Sequence, residues 1–322
     1  MKNSKKHLII IGFVSVIIFA LWFLPLAARL SFSNKQITEV GDIGYGNSLP
    51  FISEIVMNAV PDIILQVIFS VVLVVSLFAL GKSLWDKKRS GFLFMISMII
   101  AAALSTGMSY MFSVPNIFFI PISLLFLGFA LYSSKSINKY ALGCAVIFFA
   151  SMFDILSIVF AMIGIIGIAI AKKKNMKNAL MLSSAMVIMF FVIHLVSGIS
   201  FIPGYADYIT VPQTIILGFG RLDGIAVMAF LLSVISFFYS WQKSPLWKLV
   251  IMMFLVSFAL SFVFSGAIFY LSLFAIFLVS EVFYNLIRKK TFMNYLILAV
   301  FVAGLAFSYY QFAEAMISLA NL

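Results

Sequence analysis

The chain has 322 residues, of which 64% are hydrophobic and 10% are charged, and its mean hydropathy is +1.19. Soluble domains carry about 25% charged and about 45–50% apolar residues, so this composition excludes a soluble globular protein. Intrinsic disorder requires low hydrophobicity and is excluded too. A single cysteine, Cys144, excludes a disulfide scaffold. The remaining class is an all-α, polytopic integral membrane protein with one transmembrane domain over 1–322.

Long apolar runs, separated by charged or Pro/Gly/Asn breaks, predict the membrane-spanning helices. A span needs about 20 mostly apolar residues to cross about 30 Å of hydrocarbon. The two shortest runs meet at Asp154 and form either a tight pair of crossings or one re-entrant hairpin. The eleven candidate spans are 7–28, 60–80, 91–111, 117–133, 140–153, 155–171, 179–200, 222–241, 248–264, 267–287 and 292–310.

The basic residues predict the orientation of these spans. With the N-terminus in the cytoplasm, every Lys and Arg except Arg29, Lys35 and Arg221 falls on the cytoplasmic side, as the positive-inside rule requires. The C-terminus is then outside, and the protein lies in the cytoplasmic (cell) membrane with lipids as its partners. The net charge of +11 is therefore a topology signal. The basic loops are short and lack interleaved aromatic residues, so no nucleic acid partner is expected.

The most polar segment is the first outer loop, residues 29–59. Asp42 lies in a glycine-rich turn, Val40–Gly46, three residues after Glu39. Glycines let a ligand approach the backbone closely. The following stretch, Pro50–Met57, has the apolar spacing of an amphipathic helix on the outer interface. An acid in an outer loop is ordinarily only solvated, and the glycine cradle gives Asp42 its functional interpretation.

The order of these parts resembles the GT-C superfamily of polyprenyl-phosphate-dependent glycosyltransferases. That layout has a first span, a long outer loop with an acidic motif and an interfacial helix, and further spans joined by short basic cytoplasmic turns. The matching stretches here are Thr38–Asp42, the helix Pro50–Met57, the outer turn Ser109–Asn116 and the hairpin Phe149–Ile170.

The resemblance implies a sugar transferase that uses a polyprenyl-phosphate sugar at the outer leaflet. Asp42 would be the catalytic carboxylate, acting as general base or orienting the acceptor, and Glu39 is the second acid of its motif. An outer basic residue would hold the lipid phosphate. Arg221 and Arg29 are the candidates, because a guanidinium suits phosphate oxygens.

Other polar residues at membrane depth are candidates for a cavity. Arg221 and Asp223 lie between glycines at the mouth of the eighth span. This site either contacts a ligand or phosphate or holds a structural ion pair, with Asp207 or Asp154 as possible partners. Asp154 is either a loop-tip acid or a cavity acid. His194, on an apolar helix, is either a packed side chain or a proton carrier.

The sequence leaves the cofactor and the function class open. The two histidines and one cysteine lie on different spans, which excludes a His/Cys metal site. An all-oxygen site for a divalent cation, Mg²⁺ or Mn²⁺, could form from Asp42 and a second outer acid. The second outer loop lacks an acid pair and the chain is short, which favours a non-catalytic scaffold or lipid-binding subunit, with a membrane protein partner, as one alternative. A secondary transporter is the other.

Overall fold

The computed structural model describes residues 62–84, 88–106, 119–197, 227–241, 243–264 and 266–320, and the secondary structure of these residues is all-helical. Short turns join several of the helices. In chain order they are α1 (Asp62–Leu84), α2 (Lys88–Ala103), α3 (Phe119–Tyr132), α4 (Ile137–Ala150), α5 (Ile155–Ala171), α6 (Met176–Ser197), α7 (Val227–Ser240), α8 (Pro245–Ser261), α9 (Ala267–Lys289) and α10 (Phe292–Ala320).

Three of these helices are long and apolar enough to cross a membrane. The qualifying stretches are Met176–Ile193 in α6, Ala267–Lys289 in α9 and Phe292–Gln311 in α10. The other helices are apolar over shorter stretches of 10–17 residues. Each predicted span from 60–80 onward coincides with one helix, whereas the first predicted span, 7–28, lies outside the described residues.

The last helix is longer than its apolar run predicts. The apolar run was expected to end at residue 310, but α10 continues through Gln311 and Glu314 to Ala320. These polar residues end the hydrophobic run without ending the helix, because Gln, Glu, Ala and Met all have high helix propensity. A hydropathy boundary therefore marks the edge of apolar surface and need not coincide with the end of the hydrogen-bonded helix.

Helix α9 is the centre of the bundle. Its residues from Ala267 to Tyr284 are all buried, and it packs against α2, α7, α8 and α10. Such a helix is expected to be apolar on most of its surface, and α9 is, with a few polar side chains such as Glu281 as exceptions. By contrast, only 22% of the spanning stretch of α6 and 11% of that of α10 are buried, so these helices present apolar side chains at the periphery, where lipid would cover them.

Aromatic rings fill the space around α9. The Phe126 ring of α3 lies 5.5 Å from the ring of Phe274. The Phe160 ring of α5 stacks on Tyr270 with 4.0 Å between centroids. Rings pack favourably in offset or edge-to-face arrangements, each contributing about 0.5–1.5 kcal/mol beyond the area that it buries. These contacts connect α3 and α5 to the central helix.

The tight pairing of α3 with α4 depends on a glycine. A Cβ atom added at Gly143 would stand 2.9 Å from the Leu131 carbonyl carbon and from the Tyr132 Cα. Both obstacles are backbone atoms, which a rotamer change cannot move. Small residues at such crossings let helix backbones approach each other, as is common in membrane bundles.

We expect Gly143→Val to lower the thermal unfolding midpoint of the detergent-purified protein, because the added side chain must push α4 away from α3. The cost of such overpacking is about 1–3 kcal/mol or more. Ala141→Val is the matched control, since Ala141 is exposed on the same helix. Midpoints followed by fluorescence-detected size exclusion that fall equally in both variants would contradict the role of the close crossing.

Candidate functional site

Two groups of polar side chains join α9 to neighbouring elements, one near the start of α9 and one in its second half. The Tyr270 cluster consists of Asp154, Ser157 and Tyr270. The Glu281 cluster consists of Lys243, Glu281 and Asn285. Residues 270 and 281 are separated by about 16 Å along the helix axis at 1.5 Å per residue, so the two clusters are distinct.

The Tyr270 cluster begins as a helix cap. Asp154 is the N-cap of α5, and its Oδ1 accepts a 2.8 Å hydrogen bond from the Ser157 backbone N–H. The Ser157 hydroxyl donates a 2.6 Å bond to Asp154 Oδ2 and lies 3.1 Å from the Tyr270 hydroxyl. Since the Ser157 hydrogen is used on the carboxylate, the Tyr270 hydroxyl is the donor to Ser157.

Asp154 lies in the turn between α4 and α5, and it is buried there, with 2% of the residue exposed. The turn 151–154 folds inward because the carboxylate satisfies a free N–H at the start of α5 and interacts favourably with the helix dipole. The side chain caps a helix and, through Ser157, connects the α4–α5 turn to the beginning of α9.

The Glu281 cluster is a buried ion pair. Glu281 is fully buried, and its Oε1 accepts from the Lys243 ammonium group, which comes from the α7–α8 turn. Asn285 Nδ2 donates to the same Oε1 at 2.6 Å and to the Glu281 carbonyl at 2.8 Å. The second carboxylate oxygen, Oε2, has no hydrogen-bond partner among the described atoms.

Lys243 reaches this carboxylate past aromatic rings. Its Nζ lies 5.7 Å from the Trp247 ring centroid and 5.9 Å from that of Tyr284, and the side chain is 29% exposed. The rings and the carboxylate together compensate a charge that is partly removed from water. The counter-ion of Glu281 is therefore a partly exposed lysine from another part of the chain.

A third polar contact joins two of the basic turns. The Lys174 Nζ, between α5 and α6, donates to the carbonyls of Tyr132 and of Ser134, the latter at 3.2 Å. It also lies 4.7 Å and 4.3 Å from the ring centroids of Tyr132 and Tyr140. Burial lowers the pKa of Lys174, because desolvation disfavours its charged form. The contact caps the end of α3 and places the α3–α4 and α5–α6 turns at the same end of the bundle.

Most of the predicted site residues lie outside the described residues. This applies to the proposed catalytic acids Asp42 and Glu39, and to Arg29, Arg221 and Asp223. The backbone of His194 belongs to α6, while its side chain is outside the described part. Of the predicted candidates the described chain thus places Asp154 alone in a defined set of contacts, and those contacts form a helix cap.

The sequence analysis missed the Glu281 cluster, although part of it was visible. Glu281 and Asn285 are four residues apart in an otherwise apolar run, a spacing that places both on one helix face. Intramembrane acids are expected to have a partner. Nothing local indicates that the partner is Lys243, which is 38 residues away in the chain.

We expect Lys243→Met to be strongly destabilising, because it leaves Glu281 buried without its counter-ion. Breaking a buried pair costs about 3–5 kcal/mol, and partial exposure of Lys243 moves the expected cost toward the lower end. Lys248→Met is the control, since Lys248 is exposed and lies over the Trp241 ring. The double variant Lys243→Met/Glu281→Leu should recover much of the loss in thermal midpoint. Equal thermal midpoints for Lys243→Met and its control Lys248→Met would show that the Lys243–Glu281 ion pair does not stabilise the fold.

We expect Asp154→Ala to lower the thermal midpoint more than Asp154→Asn. Alanine removes the cap of α5 at a cost of about 0.5–2 kcal/mol, whereas asparagine keeps an oxygen that can accept from the Ser157 N–H. Differential scanning fluorimetry of both variants measures the difference. Identical shifts would mean that the negative charge, and not the cap, is what the position requires.

No family model matches the chain, and comparisons with curated proteins and with solved structures found no significant match. The chemistry of the chain's own residues is therefore the basis for assigning it a function.

Proposed function

We propose that the chain is a multi-pass protein of the cytoplasmic membrane and a GT-C-like glycosyltransferase that takes a sugar from a polyprenyl-phosphate donor at the outer leaflet. The proposal includes eleven spans, a cytoplasmic N-terminus and an outer C-terminus. The transferase assignment is carried by one observation, the glycine-cradled Asp42 in the longest outer loop, residues 29–59.

The contacts of the described bundle support the proposed orientation. Basic residues lie in the last turns of α1 and α9, which hold Lys82 and Lys289. They also lie in the connections after α3, α5 and α7, which hold Lys135, Lys174 and Lys243. Lys174 joins two of these connections directly, and Lys243 contacts the half of α9 that ends in basic residues. The α4–α5 turn carries Asp154 and no basic residue, and it contacts the opposite half of α9 through Ser157. Such one-sided charge is what the positive-inside rule predicts for a cytoplasmic face.

The roles proposed for the outer residues follow from their chemistry. Asp42 would take a proton from the acceptor or orient it, with Glu39 as a neighbouring acid. Arg221 or Arg29 would bind the lipid phosphate through the guanidinium fork. A divalent cation bound by Asp42 and a second outer acid is compatible with this arrangement.

A secondary transporter is the second candidate, and the Glu281 cluster favours it. Buried ionisable side chains in membrane proteins often mark ion or proton pathways. Glu281 fits this description because it is fully buried on the central helix and retains one oxygen without a partner among the described atoms. Glu281 already has Lys243 as its counter-ion, so this candidate ranks second.

The first test is native mass spectrometry of protein extracted gently in detergent. We expect wild type to carry a polyprenyl phosphate or its sugar conjugate. Arg221→Ala should bind this lipid at least about ten-fold more weakly. The expected loss is that of one hydrogen bond to a charged group, which is worth about 1.5–3 kcal/mol. Asp42→Asn should keep the lipid and lose sugar transfer, because it removes the carboxylate without touching the phosphate contact.

Arg89→Ala is the matched control, since it also removes a guanidinium group, but from the basic side of the protein that is proposed to face the cytoplasm. Bulk phospholipid alone in wild type, or equal lipid loss in Arg221→Ala and Arg89→Ala, would overturn the transferase proposal. A protein partner at fixed stoichiometry would favour the scaffold alternative. Ion-coupled flux in liposomes that Glu281→Gln abolishes would favour transport.

A further inference from the structure

A cavity of about 210 Å³ lies at the basic end of the bundle between α7, α9 and α10. Its polar lining comes from Tyr239, Asn285, Lys289 and Asn294. The rest of its wall is apolar and includes Ile235, Ile297 and Phe301. Neither the predicted outer site nor the helix cap at Asp154 uses this space.

The charge around the cavity is positive. Lys289 is the charged residue in its lining, and Arg288 and Lys290 flank it in the chain. The nearby acid, Glu281, is in contact with the lining residue Asn285 but is already paired with Lys243. The cavity wall therefore offers a cation to a ligand without presenting a free carboxylate.

The turn between α9 and α10 adds a second group that favours an anion. Only residues 290 and 291 separate the two helices, and Lys290 adopts the left-handed conformation with φ 50° that such a reversal requires. Lys289 is therefore held beside the first turn of α10, to which Asn294 belongs. The Asn294 N–H in this turn already donates to the Thr291 hydroxyl at 3.3 Å. What the helix end offers a phosphate is therefore the positive end of the α10 dipole.

The apolar wall identifies the kind of anion. A free phosphate has no apolar atoms to pack against Ile297 and Phe301, whereas the first carbons of an acyl chain would pack against them. The volume is below the about 300–1,000 Å³ of typical small-molecule pockets, so it suits a headgroup whose chains remain outside. Ile235, which is 39% exposed, leads from the cavity to the apolar outer surface of α7.

We propose that this cavity binds the headgroup of an anionic phospholipid from the inner leaflet, with its phosphate on Lys289, beside the Asn294 side chain and the positive end of the α10 dipole. The proposal rests on the orientation proposed above, in which the basic end faces the cytoplasm, and it is independent of the transferase chemistry. Basic pockets between helices on the cytoplasmic side are known sites for anionic lipid headgroups.

The test is a native mass spectrometry titration of the detergent-purified full chain with phosphatidylglycerol and, in parallel, phosphatidylcholine of the same chains. We expect one phosphatidylglycerol molecule to bind tightly to each protein and phosphatidylcholine to show no comparable binding. Lys289→Gln should weaken phosphatidylglycerol binding about five-fold, the equivalent of about 1 kcal/mol for one lysine near the surface. Lys290→Gln, which removes the same charge one residue outside the lining, should change it less than two-fold.

A second variant separates the cavity from the charge. Ile297→Trp fills the apolar wall and keeps every basic residue, so it should displace the lipid as well. Equal weakening by Lys289→Gln and Lys290→Gln, or unchanged binding in Ile297→Trp, would overturn the proposal in favour of diffuse surface attraction. Full competition by excess inorganic phosphate would overturn the lipid as occupant. Failure here leaves the Arg221→Ala result unaffected, because that experiment probes polyprenyl phosphate on the opposite side.

Discussion

The complete burial of α9 is the constraint on which the rest of the structure depends. In hydrocarbon there is no water to satisfy a polar group, so each such group must find its partner within the protein. A helix buried from Ala267 to Tyr284 makes this requirement severe, because its serines, tyrosines and single acid can bond only to their own helix or to neighbouring elements. Ser280 uses its own helix, since its hydroxyl donates to the carbonyl of Ile276.

The two clusters satisfy this requirement in different ways. At one end, Tyr270 shares its hydroxyl with Ser157, which is itself bound to the capping carboxylate of Asp154. At the other end, the charge of Glu281 is balanced by Lys243 and by the Asn285 amide. The first arrangement connects the beginning of α9 to the α4–α5 turn, and the second connects its second half to the α7–α8 turn. Together they orient the central helix relative to its neighbours at both ends.

These contacts also give the described bundle two chemically different ends. Lysines act at one end as caps and counter-ions, as Lys174 does for the carbonyl groups at the end of α3. The same end contains the cavity beside Lys289, where positive charge and an apolar wall adjoin. The proposed transferase site belongs to the other end, which would separate sugar chemistry at the outer leaflet from lipid binding at the inner leaflet.

The sequence determined the all-helical class and the positions of the described helices, because an apolar run of sufficient length has few stable structures other than a helix in lipid. It also determined which connections are basic, since charge is a property of the residues themselves. It predicted α10 to end at residue 310 and missed its continuation, because hydropathy reports burial and not backbone hydrogen bonding. Asp154 was recognised as unusual between two apolar runs, but its role as a buried cap depended on the inward fold of its turn.

Only the tertiary structure decided which side chains bond to each other. Lys243 and Glu281 are 38 residues apart, and Ser157 and Tyr270 are 113 apart, so no local pattern pairs them. The need for glycine at residue 143 arises from the backbone of another helix, which the sequence around Gly143 does not describe. The cavity beside Lys289 exists because three helices leave a gap between them. Pairing, close approach and empty space are properties of the packed helices, which is why the residues alone could identify the elements and not their contacts.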